Sequence, residues 1–266
     1  MSVRFTLWLF GLLIALPSAA LAEPKAPEVL FTFDDGPALG KTPIVLDLLD
    51  QHHIKAIFFV NGWHFQGTRP AALKEQALLR EIQRRGHAVG NHTIHHYFLC
   101  GHYYIKHAAE EVEGNADLIE QAIGVRPDLF RTPYGSHCKV LNETLGALGI
   151  RPIGWDIDPQ DWKTKDAKKI QTFVIAHLNK LHGRAILLMH DVQGATVKAL
   201  PAILDWLDEE NARRIAANEI PIKVLDYSYL VPPHPAVPPV LQGIGRMLFE
   251  MIKPAAAPLA WLAPKV

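Results

Sequence analysis

The chain has 266 residues, with 27 Lys plus Arg against 27 Asp plus Glu, so its formal net charge is zero. That balance lacks the basic surplus needed to track a phosphate backbone, which argues against nucleic acid as a partner and favours neutral or mixed-charge ligands. The length suits one large core, since single α/β barrel domains of this size are common.

The first stretch, MSVRFTLWLFGLLIALPSAALA, places Arg4 before a short apolar run that ends in Pro17 and small residues. This is the layout of a secretory signal over residues 1–22, too short and wrongly flanked for an ordinary membrane span. It predicts export, to the periplasm rather than full secretion, with a retained N-terminal anchor as the alternative. Residues 23–230 then read as one domain. Apolar, β-branched runs mark strands at Val29 to Phe33, Ala56 to Val60, His87 to Gly90, Asp128 to Arg131, Arg151 to Trp155, Ala185 to Met189 and Ile220 to Leu225. Helical spacing of Leu, Ala, Glu and Lys fills Pro43 to His52, Pro70 to Arg85, Ala108 to Ile123, Val140 to Leu148, Ala167 to Leu181 and Ala199 to Ala217. Strand and helix alternate, which predicts a parallel sheet covered by helices and, for seven strands, an open or incomplete barrel. Residues 231–266 shift to a Pro- and Ala-rich tail in which Leu241, Ile244, Leu248 and Ile252 share a helical stripe, a short amphipathic helix expected to pack on the barrel.

The polar residues gather where these strands end. Asp34 and Asp35 follow the first, Asn61 the second, Asn91 and His92 the third, Thr132 to Gly135 the fourth, Asp156 to Trp162 the fifth, and His190 with Asp191 the sixth. The C-terminal rim is where parallel barrels build their sites. In FTFDDGP the two adjacent acids would point apart if the pleat continued, and Gly36-Pro37 is expected to stop it so that both reach one rim. NHTIHH carries a metal signal: His92 with His96, or His92 with His95, would share a face of a helical turn, and spacing alone does not choose. Two imidazoles and a carboxylate from another strand end leave an open position for catalytic zinc or another divalent metal. RTPYG puts a permanent cation at a strand end, able to fix a neighbouring carboxylate. WDIDPQDW and ILLMHD add an acid, two tryptophans and a histidine, and a histidine paired with a carboxylate is a competent general acid. Cys100 and Cys138 are the only cysteines and, in an exported chain, are expected to pair. The loop after His96 carries Tyr97, Phe98, Tyr103 and Tyr104, candidates for stacking on sugars or for packing beneath the loop.

TFDDGP, HTIHH, RTPYG, DPQDW and LLMH, in this order, resemble the five motifs of the polysaccharide deacetylase family, carbohydrate esterase family 4 or NodB homology domain. The resemblance runs from about Val29 to Asp226 and implies a distorted (β/α)7-type barrel in a single domain. It also implies metal-dependent removal of N-acetyl groups from a glycan containing N-acetylglucosamine, such as peptidoglycan or chitin oligomers. Position by position it makes Asp34 the general base and Asp35, His92 and His96 the metal ligands, leaving His95 a bystander. Arg131 would hold the base, the Tyr134 N–H would donate to the oxyanion, and Asp161 would support His190 as general acid. Trp162 and Leu188 would wall the acetyl pocket. The cofactor implied is zinc, with cobalt, nickel or manganese as alternatives. The partner is an acetylated glycan, the chain is expected to be a monomer, and membrane contact is confined to the signal segment or the tail. An O-acetyl esterase acting on xylan or another glycan, or a carbohydrate-binding barrel without turnover, are the other readings.

Overall fold

A computed structural model describes residues 26–230. The signal segment and the C-terminal tail with its amphipathic stripe lie outside the described residues. The central strand is β1 (Glu28–Gly36), flanked by β2 (Ile57–Val60) and β4 (Arg184–His190), with β3 (Ala88–Asn91) beyond β2, all parallel in the order β3-β2-β1-β4. The two-residue β5 (Lys223–Val224) pairs with the start of β1 at Glu28 and Val29, while β2 pairs from Thr32 onward. Among the β1–β4 rungs, Asp34 stands opposite His190.

Seven strands are expected from the sequence, and three of them are reduced, the seventh to the two residues of β5. The fourth survives as a bridge from Phe130 to Asn91, and the fifth as a bridge from Pro152 to Phe130. Pro127, Pro133 and Pro152 remove ladder donors around both, so neither builds a ladder. The segment that carries Pro152 continues to Ile157, which bridges to Leu187 of β4. The wall is thus closed by one irregular segment touching both sides, which makes this a distorted barrel of parallel strands in one α/β domain.

The helices are α1 (Thr42–Gln51), α2 (Gly62–Phe65), α3 (Pro70–Arg84), α4 (Ala108–Ile123), α5 (Lys139–Ala147), α6 (Asp161–Thr164), α7 (Ala167–Asn179) and α8 (Gly194–Ala216). Most begin and end within two residues of expectation. Pro43 and Pro70 lie in first turns, where no intrahelical donor is lost, and the Asp166 side chain caps α7 by accepting from Lys168 N and Lys169 N at 3.0 and 3.2 Å. α8 starts at Gly194 rather than at Ala199. The expected helix already contains Pro201, and the observed one extends a further turn before it, with the proline in its interior. Gly124 closes α4 at φ +78°, a left-handed cap that a side chain would strain.

Strand alternation sorts the core into two layers. Val29, Phe31 and Phe33 of β1, with Phe58, Val60, Leu187 and Met189, pack under the helices. The intervening Leu30, with Ile57, Phe59, Leu129 and Leu225, fills the barrel interior. A satellite cluster of Leu99, Val112, Phe130, Leu141 and Leu145 packs beside the aromatic loop. Asp34 and His190 are therefore the last inward positions of their strands, following Leu30 and the buried Thr32 on β1 and Ile186 and Leu188 on β4.

His87 is buried before β3, with Nδ1 accepting from Ala56 N at 3.2 Å. Burial pushes its imidazole down to about 4. The folded protein therefore holds it neutral below the pH at which the unfolded chain protonates. Its contribution is complete above pH ~6.5 and is lost as pH falls through about 4. Urea unfolding between pH 7 and pH 4 should show the wild type losing ~3 kcal/mol relative to His87→Gln; parallel pH profiles would contradict this.

Candidate active site

Both acids of FTFDDGP reach the C-terminal rim, but Gly36-Pro37 is not what turns them. β1 runs through Gly36 with an irregular register between Asp34 and Gly36, and Asp35 itself adopts φ +71°. This left-handed residue within the strand cancels the alternation. Asp34 is buried, while Asp35 sits at the edge with a half-buried side chain.

Arg131 reaches Asp34 from the fourth wall segment. Its guanidinium is fully buried, and Nη1 donates to Asp34 Oδ1 at 2.7 Å and to Thr32 Oγ1 at 2.8 Å. Nε and Nη2 donate to the carbonyls of Ile153 and Gly154 at 3.1 and 3.0 Å, and the cation lies 4.2 Å from the Phe59 ring centre. Every edge of the fork is engaged, so the buried charge is both paired and solvated by protein dipoles.

Beside this pair, Asp35, His92 and His96 each present a ligand atom, all within 4.8 Å of one another. Asp35 Oδ1 is 3.5 Å from His92 Nε2 and 3.3 Å from His96 Nε2, and it is buried with no hydrogen-bond partner among the described residues. His92 Nδ1 lies 2.8 Å from the Arg131 carbonyl oxygen. That oxygen only accepts, so Nδ1 carries the proton and Nε2 turns its lone pair to the centre. Burial lowers the His96 pKa despite the opposing charge of Asp35, which favours the neutral, ligating form. An orphaned carboxylate oxygen facing two imidazole nitrogens fits a divalent cation and leaves the remaining positions open.

The histidines do not converge on a helical turn. Residues 92–96 form a loop in which Thr93 and His96 have φ of +70° and +58°. His95 turns away to Glu111, with its Nδ1 2.6 Å from Oε1. Helix α4 supports this loop from below: Glu111 Oε2 accepts from His95 N at 2.9 Å, and Asn115 Nδ2 donates to Asn91 Oδ1 at 2.8 Å, which also accepts from Thr93 N at 2.9 Å. Asn61 Nδ2 adds a bond to the His92 carbonyl at 2.6 Å. Glu111 and Asn115 are absent from the sequence-based set. Two polar residues four apart within the buried face of α4 are the signal that could have found them.

On the other flank, His190 Nδ1 is 2.7 Å from Asp161 Oδ1, and His190 N donates to Asp161 Oδ2 at 2.8 Å. Asp161 is fully buried and also accepts from Thr196. Burial pulls the His190 imidazole down, but the Asp161 bond and the nearby carboxylates outweigh it and raise it to about 9. Its Nε2 is 3.9 Å from Asp35 Oδ2, so a cation held by Asp35 would weaken that lift. Leu188 is buried two residues before His190 on the same inward face, and Trp162 stands half exposed beside Asp161. Tyr134 has φ +59° and an exposed ring 4.6 Å from His96 and 6.2 Å from Phe98. Cys100 and Cys138 are bonded to each other, with Cα atoms 6.0 Å apart, joining the loop after His96 to the Tyr134 loop. Among the loop aromatics, Phe98 and Tyr103 are exposed, whereas Tyr97 and Tyr104 are half buried and stacked at 4.2 Å.

Asp191 follows His190 and is wholly buried, which lifts its pKa to about 7. It accepts from Thr42 and packs on Gly36, where a Cβ would meet its carboxylate at 2.7 Å. The glycine of DDG is thus required by a close approach rather than by its φ.

Residues 22–153 match the model of the family described as "Polysaccharide deacetylase". The chain is 30% identical over 224 residues to a chitooligosaccharide deacetylase of Azorhizobium caulinodans, covering 77% of this chain and 99% of that protein. It is 29% identical to the peptidoglycan-N-acetylmuramic acid deacetylase of Bacillus subtilis over 78% of this chain, but spans only 41% of that longer relative. Among solved structures, a family 4 carbohydrate esterase from Streptomyces lividans in complex with acetate superposes with TM-score 0.58 at 29% identity, covering 71% of this chain and 91% of that one. With the ordered motifs brought to one rim and this similarity along nearly the whole of a relative, the chain belongs to the polysaccharide deacetylase family.

Proposed function

We propose that the protein is a metal-dependent hydrolase that removes N-acetyl groups from a glycan containing N-acetylglucosamine and releases acetate. One observation carries this reading: the donor set of Asp35, His92 and His96 lies between an acid held by Arg131 and a histidine held by Asp161. The relatives support the substrate class, since their names specify chitooligosaccharide and peptidoglycan deacetylation.

Asp35 Oδ1, His92 Nε2 and His96 Nε2 would hold the cation, which we take to be zinc, with cobalt, nickel or manganese as alternatives. When bound, it supplies Lewis acidity, polarising the acetyl carbonyl and acidifying water. Asp34 takes the proton from the attacking water. Arg131 occupies its Oδ1 and thereby fixes the direction of Oδ2. The Tyr134 N–H donates to the carbonyl oxygen as negative charge develops there, a kind of contact whose loss commonly costs about 10²- to 10³-fold in rate. His190 delivers a proton from Nε2 to the leaving nitrogen, and Asp161 keeps Nδ1 protonated and the ring in place. Trp162 and Leu188 wall the acetyl group. We also place the mature chain outside the cytoplasm, in the periplasm, on the strength of the Arg4-led apolar segment and the Cys100–Cys138 bond.

Acetate release from chitin oligomers, peptidoglycan fragments and acetylxylan tests the reading. Release from the amide-bearing glycans is expected, with loss on chelation and recovery on adding metal. Release from acetylxylan alone would make the protein an O-acetyl esterase. Metal-independent release, or none from any substrate with metal restored, would overturn the proposal.

A further inference from the structure

One aromatic residue outside the roles assigned above is both exposed and fixed at the rim. Trp63 is 48% exposed and lies in α2, directly after Asn61 at the end of β2. Single exposed apolar side chains are ordinary on protein surfaces. Trp63 differs in how it is held. Its N–H donates to the Ile94 carbonyl at 2.9 Å and the Gly62 N–H to that of Thr93 at 3.1 Å, so its backbone hangs on the loop between His92 and His96. Arg69 Nη2 donates to the carbonyls of Trp63 and His64 at 2.8 and 2.7 Å. The indole lies on the His64 imidazole, ring centres 3.7 Å apart and planes 27° off parallel. That imidazole in turn donates from Nε2 to the Asp35 carbonyl at 2.9 Å. The indole is therefore backed by a ring tied to the backbone of a metal-site residue, and half its surface is open.

We infer that Trp63 forms the floor of a sugar-binding subsite beside the catalytic centre, stacking on a pyranose ring next to the one that loses its acetyl group. The inference rests on the deacetylase reading. A pyranose presents C–H groups on its flat faces and hydroxyls around its edge. A flat indole covers the faces and leaves the hydroxyls in water. Little ordering is needed on binding, because the backbone and the ring are already fixed. The ligand class is a chain of linked pyranoses rather than a monosaccharide.

Rates on N-acetylglucosamine oligomers of increasing length test this. Trp63→Ala and Trp63→Gln should each lower the ratio of kcat/KM for long oligomers to that for the disaccharide by about three- to tenfold, through KM, and Trp63→Phe should restore most of it. Calorimetric binding of the same oligomers to Asp34→Asn protein should show the same length-dependent loss without turnover. An unchanged length dependence in both assays overturns the subsite. So does a loss confined to kcat, which would make Trp63 a support for Asp35. If the wild type neither binds nor deacetylates any oligomer, the deacetylase reading fails and the subsite with it; wild-type activity with unaltered ratios in the variants sinks the subsite alone.

Discussion

Asparagine at position 34 is expected to lower kcat about 10³-fold while metal affinity stays near that of the wild type. The same change at position 35 is expected to lower metal affinity about 100-fold or more. Asp34→Asn keeps Oδ1 for Arg131 and removes only the basic oxygen, while Asp35, His92 and His96 are untouched. Asp35→Asn replaces the charged oxygen that faces both imidazoles with a neutral amide. Asparagine is the right probe at position 35, because φ there is +71° and alanine would add a backbone cost unrelated to the metal. Competition with a chromogenic chelator measures affinity, and single-turnover acetate release measures the chemistry. Equal metal loss in both variants would undo the division of roles.

The second large effect falls on stability. Arg131→Met should destabilise the fold by about 3 to 5 kcal/mol, because Asp34 would be left buried without a counter-charge. In a domain of this size that corresponds to a Tm lower by roughly 10 °C. Thr32 Oγ1 and the carbonyls of Ile153 and Gly154 would lose a donor at the same time. The double variant Asp34→Asn/Arg131→Met should recover part of the loss, since neither position then leaves an unpaired buried charge. Denaturant unfolding of the four members of this cycle, with metal chelated, gives the coupling energy. A loss below about 1 kcal/mol for Arg131→Met would mean that water reaches Asp34 and solvates it in place of the guanidinium.

The parts of this fold that obey a simple period are legible in the sequence. β1, β2 and β4 read as apolar runs, α4 appears from Ala108 to Ile123 as expected, and the polar residues at the ends of the parallel strands gather at one rim. Backbone exceptions are less legible. Nothing in DDGP says that Asp35 rather than Gly36 takes the left-handed conformation, because Asp and Gly both tolerate it and the choice falls to packing of Gly36 against Asp191. The His92–His96 spacing suggests a helical face, whereas two positive-φ residues bring the rings together. Glu111 and Asn115 escape notice because helical periodicity marks a face as buried without saying what that face must hold. The Phe130 and Pro152 walls fade to single bridges because local propensity cannot weigh prolines against a ladder that is closed from both sides.

The rung shared by Asp34 and His190 acts as a ruler. Neighbouring strands stand about 4.8 Å apart in any sheet, so the proposed base and acid take their backbone spacing from hydrogen-bond geometry and not from loop length. Insertions in the rim loops would leave that span unchanged, because the ladder and not the loops sets it.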